Sequence, residues 1–496
     1  MSADHLAVAI GGSGARSAEA LVYLCAAGLG PTELTIIIAD ADTQNFSVGR
    51  AIEAIGLYQQ LQGAPNFRGA SPLFQTTLAE PKKIAWSPFP VSSDITLEGH
   101  FGHAAMAMAG AEGQRSGARL MEALYSHDQR TAALNVGFRG KPSLGAAICD
   151  DTLDMTEAPW DEILSRLTEN SGRQQASWVF GMGSVFGGMG AAGLPVIPSQ
   201  LKASVPAGNE HVRLGAALLL PYFTFPPPPA GNTETVYALA ELFALNSREA
   251  LRYYNDQNEG FNDFYVVGTK ATASQPVFAL GSKGQANRPH FIELVTGLSA
   301  LRFFQTAPGT ENAVHLLAVR SHDSFGWEDV PDVSRVQPAL NNLARSCAFY
   351  LAVVFPVLRM IHDSAGASHR AALRTPWYRD LVEKRGMQPS DSEQWKWFQT
   401  LQLFAVRFLC WLRDVQEHSG AVKLDLVRSQ SLGLLSETQR DLSPSPFESD
   451  LLRQGIKFPL GDIWRKFCHV CAANPGRELP NQRAFLAALH RSSTIE

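Results

Sequence analysis

The chain has 496 residues, which is too many for one ordinary hydrophobic core and predicts two or three domains. Its composition, 45% hydrophobic and 18% charged, is typical of a globular protein and excludes a largely disordered chain. The net charge of −5 argues against a strongly basic nucleic-acid-binding protein, so we expect no nucleic-acid partner.

The cysteines and the apolar segments argue against two further classes of protein. The six cysteines are irregularly spaced and do not predict a disulfide framework. The first residues lack the basic segment of a secretory signal, so we expect a cytoplasmic protein. The best membrane candidate, residues 347–361, is short and contains Pro356 and Arg359. We therefore expect a buried helix there and no membrane span.

An α/β unit is predicted at the start of the chain. Residues 6–10 form an apolar run that predicts a buried strand, and the glycine-rich residues 11–14 follow it directly. Residues 15–28 have one apolar face at helical spacing, and residues 34–39 predict a second buried strand. The order of strand, glycine loop, helix and strand is typical of an open α/β sheet.

The same alternation continues to about residue 320. We predict loops over residues 60–100, followed in chain order by helix 105–126, strand 178–180, helix 191–202, strand 212–220, helix 234–254, strand 264–267 and helix 288–304. The consecutive prolines 226–229 mark a boundary, because proline continues neither a strand nor a helix. The sequence therefore predicts a nucleotide-binding domain over residues 1–320.

The chain changes character after residue 320. Residues 333–363 and 391–418 have long helical patterns dense in aromatic residues, which predict a helical domain over residues 321–427. The Ser-, Leu- and Asp-rich residues 428–450 predict a linker or loop, and residues 451–496 a small helical piece. Most aromatic stripes are core, but such a stripe also suits a groove for a protein partner. The predicted fold class is α/β, a Rossmann-type nucleotide-binding domain with a mainly helical C-terminal region.

Two glycine-rich loops, each between a predicted strand and a predicted helix, are the strongest indication of a ligand. The first covers residues 11–14, and the second, residues 181–190, holds five glycines in ten positions. Small residues let backbone N–H groups approach a phosphate, and a helix N-terminus favours an anion. With Asp40 at the end of the second strand, the first loop also suits NAD, whose ribose hydroxyl an acidic residue binds. The glycines do not follow the G-x-G-x-x-G order, and the Walker A pattern is absent.

Five segments resemble the tubulin/FtsZ family and follow its order along the chain. Residues 179–202, VFGMGSVFGGMGAAGLPVIPSQLK, resemble the family's signature strand, glycine loop and helix. The other four are similar to the region after the first helix (28–45), the loop and helix start that close over the terminal phosphate (109–120), the strand after the signature helix (212–225) and the long central helix (287–304). The resemblance covers roughly residues 6–304.

The resemblance implies a protein that binds GTP or GDP, usually with Mg²⁺, and that self-associates into homo-oligomers or filaments. The residues implied at the nucleotide are Gly11, Gly12, Gly14, Gly110, Gly183, Gly187, Gly188 and Gly190 at the phosphates; Ser13 and Ser184 as hydroxyl donors; Asp40, Asp42 and Arg119 near the sugar or the first loop; and Asn287 near the base.

Hydrolysis in this family uses acidic residues on a loop after the central helix, which act on the nucleotide of the next subunit. Residues 305–313 correspond to that loop and offer Glu311 and Asn312 as catalytic candidates, but no aspartate. Phe186 and Met189 also depart from the signature, near its hydroxyl positions. The leading hypothesis is a slow or assembly-dependent GTPase. The alternatives are a non-hydrolysing, nucleotide-regulated scaffold that binds a partner through its helical C-terminal region, and an NAD-dependent oxidoreductase.

Two short patterns are only weak signs of a metal site. Cys468 and Cys471 form a single C-x-x-C pair, whereas a structural zinc site needs four ligands. His100 and His103 lie beside Gly102 with no acidic or cysteine residue close in sequence. We therefore predict no metal site built from protein side chains alone.

Overall fold

The fold is described from a computed structural model. The described residues are 4–42, 45–62, 71–89, 95–110, 112–206, 209–226, 239–256, 260–270, 273–274, 286–318, 325–363, 377–419, 460–472 and 481–494.

A parallel sheet of eight strands forms the centre of the molecule. In chain order the strands are β1 (Asp4–Ile10), β2 (Glu33–Ala39), β3 (Thr77–Leu78), β4 (Ala85–Trp86), β5 (Ser177–Ser184), β6 (Val212–Leu219), β7 (Phe223–Thr224), β8 (Asp263–Gly268), β9 (Ala273–Ser274) and β10 (Ala313–Ala318). The sheet order is β10-β8-β6-β5-β1-β2-β3, and β4 also pairs with β2. All these pairs are parallel, while β7 and β9 form a separate two-stranded ribbon.

Helices pack on both faces of the sheet and also form the C-terminal region. They are α1 (Gly11–Ala26), α2 (Phe46–Leu61), α3 (Leu97–His100), α4 (His103–Met108), α5 (Glu112–Leu124), α6 (His127–Thr131), α7 (Pro142–Thr152), α8 (Trp160–Gly172), α9 (Gly188–Ala203), α10 (Phe243–Asp256), α11 (Phe291–Phe304), α12 (Val333–Phe349), α13 (Phe355–Asp363), α14 (Ser392–His418), α15 (Leu460–Ala472) and α16 (Asn481–Ser493).

The sheet separates two hydrophobic cores. Because side chains alternate along a strand, Ala7 and Ala9 of β1 face the core of α1, α2 and α11, whereas Leu6 and Val8 face the core of α7, α8 and α9. Both faces of β1 are therefore buried, which explains its continuous apolar sequence.

The C-terminal helices share the first of these cores. Tyr23 of α1 packs against Phe404, Phe408 and Trp411 of α14, with ring centroids 5.1–5.7 Å apart. Arg483 of α16 donates hydrogen bonds to the carbonyl oxygens of Leu73 and Phe74 at 3.0 and 2.8 Å. The change of character at residue 320 therefore marks where the helical part begins along the chain, while its hydrophobic core is continuous with that of the sheet.

One stretch, Val333–Asp363, is long and apolar enough to cross a membrane by length and composition. It comprises α12, a π-helical turn and α13. Of its most apolar window, 67% is buried against the rest of the protein. Burial of this kind is also typical of a core helix, which is what the sequence predicts for residues 347–361.

The structure confirms the predicted α/β class with a parallel, Rossmann-like sheet, and it differs from the predicted elements in several places. The predicted second glycine loop, 181–190, belongs to β5 up to residue 184 and to α9 from residue 188. The helix predicted over 105–126 is divided into α4 and α5, and β10 was not predicted. Residues 11–14 are not a loop, because α1 begins at Gly11 directly after β1. The segment 60–100 contains β3 and β4, and α6, α7 and α8 occupy a stretch for which no helix was predicted. The helix predicted at residue 234 is α10, which starts at Phe243. The predicted linker 428–450 lies outside the described residues.

Candidate functional site

The direction in which strands are added to the sheet reverses between β1 and β5. From β1 the chain adds β2 and β3 on one side, and it then crosses to add β5, β6, β8 and β10 on the other. Connections that leave in opposite directions open a crevice at the carboxyl ends of the two central strands, where open α/β sheets bind their ligands.

A pocket with a volume of about 170 Å³ lies at this crevice. Ten of the predicted nucleotide-binding residues line it: Gly11, Gly12, Ser13, Asp40, Asp42, Ser184, Gly187, Gly188, Gly190 and Asn287. They come from the ends of β1, β2 and β5 and from the segment before α11. Parallel strands place these ends at one edge of the sheet, so residues distant in sequence meet there.

Two helix N-termini converge on the pocket. The N-cap residues, Ile10 of α1 and Gly187 of α9, make no side-chain capping hydrogen bond. The first N–H groups of a helix have no partner within the helix, and the helix dipole adds positive potential there. The pocket therefore presents backbone donors from two helices to an anionic ligand.

The two glycine segments are in close backbone contact. Gly11 has a φ of +73°, in the left-handed region that favours glycine. A Cβ atom on Gly11 would lie 3.0 Å from the backbone nitrogen of Gly190, so a side chain there would push α9 away from α1. This contact is the structural reason for small residues in both segments.

Four of the predicted residues do not line the pocket. Gly14 lies within α1 and Gly183 within β5, where its backbone is paired with Ile10. Gly110 precedes α5, and Arg119 lies on the solvent-facing side of α5, 3.6 Å from Glu112. Ala118 and Met121 are the buried residues of α5, and Arg119 lies on the other side of the helix, which faces solvent.

The candidate catalytic residues Glu311 and Asn312 lie at the opposite edge of the sheet from the pocket. They directly precede β10, whereas the pocket lies beyond the carboxyl ends of β1 and β5. Both residues are exposed. Arg213 anchors their loop by donating to the carbonyl oxygen of Thr310 at 2.8 Å. Glu311 is therefore not placed to act on a ligand in the pocket of its own chain.

A buried polar network below the pocket was not among the predicted residues. Arg16 Nε donates to Glu293 at 2.5 Å, Nη1 donates to Ser47 at 3.0 Å, and Nη2 donates to Tyr222 at 2.8 Å. The Tyr222 hydroxyl donates to the Glu293 carboxylate at 2.5 Å, and the Ser13 hydroxyl lies 3.0 Å from the Tyr222 oxygen. Burial acts to lower the pKa of Arg16, but the charge of Glu293 and the hydrogen bonds to it outweigh burial and raise that pKa. Burial raises the pKa of Glu293, whereas the charge of Arg16 acts to lower it, and the distance of 2.5 Å identifies the two side chains as an ion pair. The available signal was that Arg16, like Glu19, is a charged residue in the largely apolar sequence of α1.

The same network caps α11. The backbone N–H of His290 donates to Glu293 at 2.8 Å, and His290 Nδ1 accepts from the N–H of Ile292 at 3.2 Å. Burial, together with the nearby charge of Arg16, lowers the pKa of His290 to about 3, so the imidazole is neutral. Glu293 thus connects the first turn of α11 with the floor of the pocket.

Asp40 is a buried carboxyl group in the pocket wall. Burial raises its pKa to about 7, although a hydrogen bond of 3.1 Å from the N–H of Asp42 acts in the opposite direction. Near neutral pH both the protonated and the ionised form of this carboxyl group are therefore populated. Such a group can bind a hydroxyl, a proton or a cation.

Aromatic rings form another wall. Phe186, Phe223, Phe225 and Phe243 line the pocket, and their ring centroids lie 4.7–6.0 Å apart. The loop of residues 136–140 completes the lining. The only sequence signal for this loop was the pair Gly137 and Gly140 around Arg139.

The weaker metal candidates do not assemble in the described part of the chain. His100 pairs with Asp151 at 2.7 Å, and His103 with Glu122 at 3.1 Å. No group of three or more potential ligands occurs among the described residues. Cys468 is a half-buried free thiol in α15, and the side chain of Cys471 lies outside the description.

Comparisons with known proteins add no relative to this picture. No model of a protein family, no curated protein and no solved structure matches the chain.

Proposed function

We propose that the protein binds a nucleoside di- or triphosphate, GTP or GDP in the leading version, in the pocket between β1 and β5. The observation that carries this proposal is the convergence of the uncapped first turns of α1 and α9 on one pocket. Ligand pockets usually have volumes of roughly 300–1,000 Å³. At about 170 Å³, this pocket is large enough to enclose phosphate groups, and the rest of a nucleotide extends beyond it.

The arrangement also supports a divergent tubulin/FtsZ-like protein. Four of the five segments that resemble this family contribute to the pocket lining: 28–45 through Asp40 and Asp42, 179–202 through its glycines, 212–225 through two phenylalanines, and 287–304 through Asn287. The described residues of the fifth segment, 109–110 and 112–120, lie outside the lining. The family assignment is part of the proposal and rests on this segment order.

A magnesium ion bound with the nucleotide is compatible with the residues present. Mg²⁺ takes oxygen ligands and is usually held by one or two carboxylates together with substrate phosphates. Asp40 and Asp42 supply two carboxyl groups in the same pocket wall. These residues would hold the ion, which when bound would offset the negative charge of the phosphates.

Hydrolysis in this proposal depends on assembly. Glu311 is exposed at the sheet edge opposite the pocket, so it can reach a nucleotide only in a second copy stacked head to tail. A carboxylate brought across such an interface can orient a water molecule for attack on the terminal phosphate. Turnover should therefore rise with protein concentration.

The first experiment identifies the ligand and measures turnover. The purified protein is denatured and any released nucleotide is identified by chromatography; the native protein is then incubated with GTP over a concentration series and phosphate is measured. Released guanine nucleotide with a specific activity that rises with protein concentration supports the assembling GTPase. No released nucleotide and no binding of added GTP, ATP or NAD contradicts the proposal.

A nucleotide-regulated scaffold is the second candidate, and one contact favours it. The N–H of Phe291, at the start of α11, donates to Ser419 Oγ at the end of α14 at 2.7 Å. Asn287, four residues earlier, lines the pocket, so the ligand site adjoins the helical C-terminal region. Bound nucleotide without turnover selects this candidate. Bound NAD would instead select the oxidoreductase, which the position of Asp40 after β2 also suits.

A further inference from the structure

Gly12, in the first turn of α1, is a glycine that the backbone of the fold does not require. A Cβ atom on Gly14 would lie 2.5 Å from the carbonyl oxygen of Met182, so packing excludes a side chain there. Gly12 differs, because its φ lies outside the left-handed region and the atoms nearest to its Cβ position are side-chain tips. These are Asn45 Nδ2 at 3.2 Å and Arg16 Nη1 at 3.7 Å. The missing side chain therefore leaves room in front of two nitrogen donors.

Arg16 has one N–H group to spare at this point. A guanidinium group carries five N–H bonds. Nε donates to Glu293, both N–H bonds of Nη2 go to hydroxyl groups, and Nη1 donates once, to Ser47 at 3.0 Å. The second N–H of Nη1 has no acceptor in the part of the chain that the structure describes, although Arg16 is 3% exposed and lines the pocket. The ion pair with Glu293 therefore leaves a donor on the edge of the guanidinium near Gly12.

Two further donors lie beside that N–H group, at the start of α2. The Ser47 hydroxyl accepts from Arg16, and its own hydrogen has no acceptor among the described residues, although Ser47 is 1% exposed. Asn45 Oδ1 accepts from the N–H of Ser47 at 2.9 Å and so caps α2, which leaves Nδ2 near Gly12. That Nδ2 makes one long hydrogen bond, to Asp40 at 3.4 Å. Both residues line the pocket, where donors outnumber acceptors.

We propose that Arg16 Nη1, Ser47 Oγ and Asn45 Nδ2 form a subsite for a phosphate oxygen of the nucleotide, and that Gly12 keeps this subsite open. The inference rests on the proposed nucleotide-binding function and extends its phosphate site to the first turn of α2. A buried donor without an acceptor is costly, so a ligand oxygen placed there satisfies these groups. The charge of Arg16 favours an anionic oxygen, because hydrogen bonds between charged partners are the strongest.

Two acidic side chains lie near the subsite. Asp40 contacts Asn45 Nδ2, and Asp42 lines the same wall of the pocket. Burial raises the pKa of Asp40 to about 7, so its neutral form is populated near neutral pH and does not repel a phosphate. The subsite and the carboxyl groups that would hold Mg²⁺ therefore share one wall, as expected where a metal ion binds together with a phosphate.

A methyl group at position 12 separates binding from folding. Alanine is more favourable than glycine in a helix, and the tip of the Asn45 side chain can move slightly to make room for the methyl group. The melting temperature of ligand-free Gly12→Ala should therefore equal that of wild type or exceed it. The same methyl group fills the space in front of the three donors, so phosphate binding should weaken. A purely structural role for Gly12 does not predict this combination.

The experiment compares wild type, Gly12→Ala and Asn45→Asp by calorimetric titration with GTP and GDP, and by displacement of bound GTP with inorganic tripolyphosphate. Asn45→Asp keeps the cap of α2, because aspartate caps a helix as well as asparagine does, but it replaces the Nδ2 donor with an acceptor. Gly49→Ala, in α2 with open space around it, is the matched control. We expect both subsite variants to bind GTP about tenfold more weakly or worse, and tripolyphosphate likewise. Gly49→Ala should match wild type throughout.

The possible outcomes have distinct meanings. If wild type binds neither the nucleotides nor tripolyphosphate, the proposed function itself is wrong. If wild type binds them and folded Gly12→Ala keeps the wild-type affinities, the subsite is wrong while the proposed function stands. If the variants lose affinity for GTP but not for tripolyphosphate, the donors bind an oxygen of the sugar or base and the phosphate assignment is wrong. Asn45→Asp remains readable if Gly12→Ala folds poorly.

Discussion

Glu293 accepts a hydrogen bond from Arg16 at 2.5 Å, and side-chain exposure is 3% for Arg16 and 1% for Glu293. The two residues lie 277 positions apart, Arg16 in the second turn of α1 and Glu293 in the first turn of α11. The pair therefore joins the floor of the pocket to the helix that meets the C-terminal region.

Breaking this pair should destabilise the protein strongly. Removing one partner leaves an uncompensated buried charge, so Glu293→Leu should lower the free energy of unfolding by about 3–5 kcal/mol in urea titrations. The double variant Arg16→Met with Glu293→Leu should recover much of that loss. Arg173→Ala, in an exposed pair with Glu169, should change it by about 1 kcal/mol or less. A loss below about 1 kcal/mol for Glu293→Leu would show that the pair is not the buried link described above.

A bulky residue at position 188 should abolish nucleotide binding. Gly188 lines the pocket and leaves no room for a Cβ atom beside Phe138, so Gly188→Trp fills the pocket and displaces the loop of residues 136–140. Gly56, in α2 with open space around it, provides the control Gly56→Ala. Titration with GTP should show no binding for Gly188→Trp and wild-type binding for Gly56→Ala. Wild-type affinity in a folded Gly188→Trp protein would place the ligand elsewhere.

Asp40 should make stability depend on pH. Burial raises its pKa to about 7 from an ordinary value of 3.8, so the folded state retains a proton that the unfolded state has lost. The stabilisation that this proton gives the folded state is fully present below about pH 4 and is lost as the pH rises to about 7. Its upper bound is on the order of 4 kcal/mol. Asp40→Asn should therefore gain stability relative to wild type between pH 5 and pH 7 in unfolding titrations of ligand-free protein. Parallel pH profiles for the two proteins would contradict this.

Mixing two inactive variants should restore hydrolysis if Glu311 acts across an interface. Glu311→Gln should bind GTP normally but lose most phosphate release, and Gly188→Trp should not bind GTP but should still present Glu311. In an equal mixture about a quarter of head-to-tail contacts combine an intact pocket with an intact Glu311. We expect phosphate release well above that of either variant alone. No recovery in a mixture that still assembles would remove Glu311 from the mechanism.

Ser419 should connect the pocket to the C-terminal helices. Ser419→Ala leaves the buried N–H of Phe291 without its acceptor and should lower the free energy of unfolding by about 1 kcal/mol. Ser492, whose buried hydroxyl bonds the carbonyl oxygen of Ala488 in α16, provides the control Ser492→Ala. We expect nucleotide affinity, measured by titration, to fall for Ser419→Ala and to stay unchanged for Ser492→Ala. Equal affinities would argue against communication through this contact.

Local sequence was sufficient to predict the central strands and ten of the residues that line the pocket. Buried parallel strands are continuous apolar runs, so β1, β2 and β6 could be located from sequence. Glycines after a strand indicated the segments that now line the pocket. The small strands β3 and β4 lack such a run and depend on pairing with β2, which sequence alone does not reveal.

Sequence by itself determined which residues could form strands, helices and phosphate-binding turns, because these depend on neighbours along the chain. Tertiary structure decided where the charged side chains lie. It pairs Arg16 with Glu293 below the pocket, places Arg139 in the pocket lining and leaves Glu311 at the far edge of the sheet. The amphipathic pattern that predicts α5 does not decide whether Arg119 faces the pocket or the solvent. Packing of α5 in the tertiary structure turns Arg119 to solvent. Partners separated by hundreds of residues are selected by the order of strands and by burial, and neither of these is encoded in local spacing.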